Sequence, residues 1–192
     1  MSALDDAPHV HVEDRATWRA WLEANHQAAA GAWMVTWRSS SGRVGFDYMA
    51  AVEEALCFGW VDSTAGRVDD ERGKLYFAPR KPRSAWAATN KARVERLIAE
   101  GRMAPAGLAA IERAKANGSW EILDAVERLQ VPPDLADALD AHRPATSNVV
   151  AFPPSVRKQL LVRVAFARRP ETRAARIAEI AAAAARNERA LG

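Results

Sequence analysis

Cysteine is nearly missing from this sequence, with one residue, Cys57, among 192. A single thiol forms no internal disulfide and no cysteine-based zinc site. No apolar run approaches the ~18 residues that a membrane-crossing helix needs, so no membrane insertion is expected. The opening MSALDDAPHVHVEDRATW is polar and acidic. It has no basic start, apolar stretch or small-residue cleavage site, so no secretory signal is expected and the chain reads as cytoplasmic. Internal repeats and Gly/Ser-rich linkers are also lacking, and the length suits one domain or a domain with an appended helical part, at about 150 residues per domain.

What is present is a globular composition, 49% hydrophobic and 27% charged. Seven tryptophans can supply a sizeable core, each removing about 150–250 Å² from water when buried. Net charge is +3, but residues 157–192 alone carry nine Lys/Arg against three acids, which leaves the remainder at −3. A basic C-terminal end attracts acidic or phosphate-bearing partners. Its plainer reading is a solvated helical face, and nucleic-acid association ranks last among the readings below. Only Phe166 interleaves those arginines, which gives no platform for stacking bases.

Periodicity places a helix over 14–27, with Trp18, Trp21 and Leu22 on one face. GAWMVTWR has the composition of a strand, and SSSGRVG reads as a loop. Asp47 is expected to cap a helix that runs to Cys57, with Glu53 and Glu54 facing outward. Gly59 stops it. WVDST and KLYFAPR read as two strands around the turn AGRVDDERG. Ser84 is expected to cap a helix over 85–100, with Trp86, Val94, Leu97 and Ile98 inward and Gly101 at its end. Pro105 starts another helix, to about Ala116. Helices follow from WEILDAVERL, PDLADALDAH, SVRKQLLVRVAFARR and the Ala-rich ETRAARIAEIAAAAARNER. The fold class is therefore α+β: a small N-terminal helix/β-sheet portion at 12–116, then a helical C-terminal bundle at 117–192, as two parts or one continuous domain.

Several groups are candidates for chemistry. Cys57 lies between Leu56 and Phe58 with every histidine remote in sequence, which fits a buried structural thiol better than a nucleophile. His9 and His11 could share a metal only with further ligands. Asp69, Asp70 and Glu71 with Asp62 form an acidic hairpin, and adjacent carboxylates on a turn usually point apart into water. No metal and no cofactor is expected. The strongest candidate is PRKPRSAWAATN, Pro79 to Asn90. Arg80, Lys81 and Arg83 precede a helix start expected at Ser84, where free N–H groups and the helix dipole favour an anion. Arg holds phosphate or carboxylate bidentately. Trp86 and Asn90, four apart, would share a helix face. In the competing reading Arg80 and Arg83 pair with the acidic hairpin and Trp86 fills core.

The blocks EEALCFGWVDS, F-x-P-R-K-P-R-S-x-W and N-K-x-R-V-E-R-L-I-x-x-G-R-M-x-P-A-G resemble the bacterial YdeI/OmpD-associated, or bacteriocin-protection, family, and ARRPETRAARIAEI is similar to its closing helical motif. The likeness runs from about Trp18 to Ile180. The chain departs from the family pattern at Arg38 to Gly42 and at Ser119. The resemblance implies an α+β N-terminal portion with helices after it, and it carries no catalytic residues. Its name implies a porin partner and envelope defence, although a chain without an export signal would not meet a porin directly. The N-terminal half is also similar to small bacterial domains compared with frataxin-type iron chaperones, which would give the acidic residues a metal role.

Three functional readings follow. The first is a non-enzymatic binding or stress-response protein: Arg80, Arg83 and Ser84 hold a small anionic ligand, Trp60 and Trp86 line the wall, and Asp62 and Asn90 orient the ligand. The second is an enzyme acting on a small phosphorylated or acidic metabolite with Asp62 as general base. The third is nucleic-acid association through the C-terminal helices. A protein partner is compatible with the first.

Overall fold

The computed structural model describes residue 4 and residues 6–190. Two compact units emerge: Met1–Ser84 with Thr89–Asn117, and Ala85–Ala88 with Gly118–Gly192. The α+β class is as expected, with the sheet confined to the first unit.

In the first unit the strands β1 (His9–His11), β2 (Ala32–Trp37), β3 (Trp60–Arg67) and β4 (Arg72–Pro79) form one sheet in the order β1-β2-β4-β3. β1 runs parallel to β2, and the other pairings are antiparallel. The three-residue β1 was not anticipated, because a strand so short carries no legible period. β3 and β4 are longer than expected, and the turn between them shrinks to residues 68–71. Asp69 closes that turn by accepting from the backbone N–H groups of Glu71 and Arg72 and gripping the Arg72 guanidinium.

Helix α1 (Arg15–Asn25) is capped by Asp14, which accepts from Thr17 N at 2.7 Å. Its apolar stripe, Trp18 and Leu22, is fully buried. Trp18 lies parallel to Trp21 at 5.4 Å and tilted against Phe77 of β4 at 5.2 Å. Helix α2 (Tyr48–Cys57) begins at Asp47 as expected, with the carboxylate accepting from Ala50 N. Gly59, at φ +74°, turns the chain from α2 into β3, a conformation that favours glycine. Helix α3 (Ala88–Ala99), from Thr89 onward, and α4 (Pro105–Ala116) complete the unit. Gly101, at φ +67°, ends α3 as expected, but Ile98 faces solvent while Val94 and Leu97 are buried.

Helix α4 packs closely on the end of α2 because residue 107 has no side chain. A Cβ there would stand 2.2 Å from the Cys57 carbonyl oxygen and 2.8 Å from Met103 Cε. Gly107→Ala should therefore force the two helices apart and lower stability by about 1–3 kcal/mol. A urea midpoint equal to wild type would contradict this contact.

The second unit contains α5 (Asp124–Glu127), α6 (Pro133–Ala141), α7 (Ala145–Ala151), α8 (Pro154–Ala165) and α9 (Pro170–Ala185) around a core that includes Leu135, Leu139, Val149, Leu160 and Ile180. Helices α6, α8 and α9 each open on a proline, Pro133, Pro154 and Pro170. The expected helix over WEILDAVERL is reduced to one turn, α5, and α7 was not anticipated. Among the described basic residues of 157–192, Lys158 pairs with Glu127, Arg163 with Glu179, Arg173 with Asp134 and Arg186 with Glu188, and Arg176 donates to the Arg163 carbonyl. Among the described residues no helix is long and apolar enough to cross a membrane.

Candidate functional site

The largest departure from expectation falls on the anion motif. Helix α3 starts at Ala88, so Ser84 does not cap it. Ser84 N–H instead donates to the Lys81 carbonyl at 2.9 Å, closing a turn. The Ser84 hydroxyl accepts from Arg80 Nη1 at 3.3 Å. Two contacts from residues just upstream thus take up the groups that a cap would have used. Trp86 lies before the helix, so it does not share a helical face with Asn90. It belongs to the second unit, 1% exposed, with its ring 5.0 Å from that of Trp120.

Arg80 extends the β3–β4 hairpin, its backbone N–H donating to the Gly59 carbonyl at 2.9 Å. Its side chain is 9% exposed. Burial takes the guanidinium down to about 10, and the negative charge of Asp62 works in the opposite direction. The group therefore stays cationic at neutral pH. Asp62, on β3, accepts at 2.8 Å from the hydroxyl of Tyr48 at the start of α2. Burial first, and that carboxylate second, hold the phenol above its ordinary value, which keeps it a donor. From α3, Arg93 donates to Asn90 Oδ1 at 2.6 Å and reaches Met49 Sδ at 3.5 Å. Arg93 also lies close enough to Tyr48 to act on its titration.

In the first unit Arg80 thus bonds Ser84 and feels the charge of Asp62, Asp62 bonds Tyr48, and Asn90 bonds Arg93. Lys81 and Arg83 are exposed on the adjoining turn. Trp60 does not sit among them as a wall: it is 1% exposed, donates its indole N–H to the His26 carbonyl, and meets the Trp21 ring edge-on. The acidic hairpin is held by Arg67 and Arg72. Among the described residues no three His, Cys, Asp or Glu side chains are grouped so as to hold a metal ion.

A second polar centre escaped the sequence reading. Glu54, expected to face outward, is 1% exposed. Arg15 Nη1 donates to it at 2.8 Å and Arg19 Nη1 at 2.9 Å, and Arg102 makes a third hydrogen bond. Neighbouring Glu53 is bound by Arg15 and Arg96. Burial raises the Glu54 pKa, but the hydrogen bonds from Arg15, Arg102 and Arg19 outweigh it and hold the carboxyl below its ordinary value. The local signal for this burial was the apolar run on both sides of the pair in YMAAVEEALC, which marks a helix surrounded by protein. Cys57 stands nearby and is buried; burial, then the charge of Glu54, push its thiol up, away from the reactive thiolate.

Residues 10–110 match the model of a family described as a domain of unknown function, DUF8412. The chain belongs to that family. The Asp62–Arg80–Ser84–Asn90 group and the Glu54 centre both lie inside the DUF8412 stretch. Residues 128–187 match a second model, described as bacteriocin-protection, YdeI or OmpD-associated. The resemblance drawn from motifs thus holds over part of the range from Trp18 to Ile180, and the blocks at Glu53–Ser63 and Phe77–Trp86 fall within the DUF8412 match instead. No curated protein and no solved structure matches the chain.

Proposed function

We propose that the chain is a non-enzymatic binding protein for a small anionic molecule, and that through this binding it serves in protection against bacteriocins, as the name of the family matched by residues 128–187 describes. The ligand's anionic group would meet Arg80, Arg83 and Lys81, with Ser84, Asp62 and Asn90 orienting the rest. One observation carries the reading. Arg80, Lys81 and Arg83 follow each other within four residues, α3 adds Arg93 beside Met49, and the Asp62 carboxylate acts on Arg80 from β3. A guanidinium screened from water, as Arg80 is, attracts an anion more strongly than one in bulk solvent.

The test is a thermal-shift screen against inorganic phosphate, nucleotides, sugar phosphates and small carboxylates. A ligand at about 100 times its Kd should stabilise the protein by about 2.7 kcal/mol. Lys81 and Arg83 are exposed, so the Lys81→Ala/Arg83→Ala variant should fold normally and weaken that ligand about tenfold or more, one charge-assisted contact being worth about 1.5–3 kcal/mol. Affinity unchanged in this variant and in Arg80→Lys would refute the placement. Bacteria producing wild-type protein should survive a bacteriocin challenge that kills those producing the double variant, and equal killing would remove the protective role.

A further inference from the structure

In the first unit, the end of α1 and the start of α4 border a pocket of about 670 Å³, separate from the Arg80 group. Small-molecule sites span roughly 300–1,000 Å³ and combine apolar walls with a few converging polar groups. Its lining mixes the polar Arg19, Glu23 and His26 with Phe58, Met103 and Ala109, and the Arg19 guanidinium lies over the Phe58 ring at 5.4 Å.

The hydrogen-bonding state of the polar residues decides what the pocket can take. Arg19 has all three guanidinium nitrogens engaged: Nε with Glu23 Oε1 at 3.1 Å, Nη1 with Glu54 Oε2 at 2.9 Å, and Nη2 with the Arg102 carbonyl at 3.2 Å. It therefore holds the wall in place and has little left to offer an anion. Glu23 uses one oxygen on Arg19, while its side chain remains 56% exposed. His26 Nδ1 sits 2.8 Å from the Leu22 carbonyl, which can only accept, so Nδ1 carries the proton and Nε2 of the neutral ring is an acceptor. The His26 ring is fixed further by Phe58, 5.1 Å away. Gln27 adds a carboxamide that can act either way. The charged and aromatic groups left open are thus a carboxylate oxygen and an imidazole nitrogen, both of which accept hydrogen bonds.

We propose that this pocket binds a small molecule carrying a protonated amine on an apolar body. The ammonium would donate to Glu23 and to His26 Nε2, while the body packs on Phe58 and Met103. The positive end of α4, at Pro105, opposes a cation there and so orients the ligand with its amine toward α1.

Phenethylamine is a suitable probe at pH 8, where an alkylamine remains largely protonated. In an NMR titration of the whole chain it should give saturable shifts at Glu23, His26, Phe58 and Met103. Phenylacetate, with the same ring and the opposite charge, should bind at least about tenfold more weakly. Glu23→Gln should weaken phenethylamine about tenfold, the scale of one charge-assisted hydrogen bond. Ala109→Trp, at an exposed position on the rim, should fill the pocket and abolish the shifts without disturbing the core. The Lys81→Ala/Arg83→Ala variant should bind phenethylamine like wild type, which separates this site from the anion site. Absence of saturable shifts, shifts that survive Ala109→Trp, or tighter binding of phenylacetate than of phenethylamine would each overturn the proposal.

Discussion

Replacing Glu54 with glutamine is expected to destabilise the first unit by about 3–5 kcal/mol, although the two side chains have nearly the same shape. The carboxylate is 1% exposed and is the shared acceptor of Arg15, Arg19 and Arg102. Removing its charge leaves three guanidinium groups converging on a neutral amide, and they either repel one another or withdraw into water. The effect has a characteristic dependence on pH. The folded carboxyl titrates below its ordinary value of 4.5, so its contribution is complete above that value and is lost as pH falls through the lower, folded one. Urea midpoints measured from pH 7 downward should therefore show wild type and Glu54→Gln far apart near neutrality and converging below about pH 4. A constant gap between the two curves would show that the loss is one of packing and not of charge.

Trp18→Ala should cost a similar amount, about 3–5 kcal/mol, by a different cause. The Trp18 indole is fully buried where α1, α2 and the sheet meet. It stacks on Trp21, tilts against Phe77 and donates its N–H to the Ala51 carbonyl at 3.2 Å. Truncation opens a cavity and also removes that hydrogen bond. Hydrogen exchange should accelerate together in α1, α2 and β4, since all three lose a shared contact. Acceleration restricted to α1 would mean that Trp18 anchors its own helix only. Unlike the Glu54 variant, this one should show the same loss at pH 4 and pH 7.

The elements that could be read from the sequence are those whose determinants are local. Asp47 and Ala50 lie within one turn, so the α2 cap was visible, and the glycines at 59 and 101 marked helix ends by their own backbone freedom. The features that could not be read depend on remote partners. Glu54 looked like an outward-facing residue because the arginines that enclose it come from positions 35 to 48 residues away. Ser84 had the right identity and neighbours for a helix cap, but its hydroxyl serves Arg80 and its N–H serves Lys81. In the candidate site, the chain positions of Asp62, Arg80 and Ser84 were legible through the hairpin that links them. Tyr48 and Arg93 were missed because they arrive on separate helices. The acceptor character of the α1/α4 pocket was equally hidden, since it rests on which nitrogen of His26 faces Leu22.

The excursion of residues 85–88 bears on how such a protein can be inherited. The chain leaves the first unit after Ser84, contributes Ala85–Ala88 to the second, returns for Thr89–Asn117, and only then continues into Gly118 and beyond. The DUF8412 match, residues 10–110, therefore includes Trp86, a core side chain of the other unit. A gene cut at codon 117 would not yield two clean modules. One fragment would display an orphaned tryptophan, and the other would lack the partner of Trp120. Exchange of these halves by recombination therefore calls for a helical unit that accepts that tryptophan.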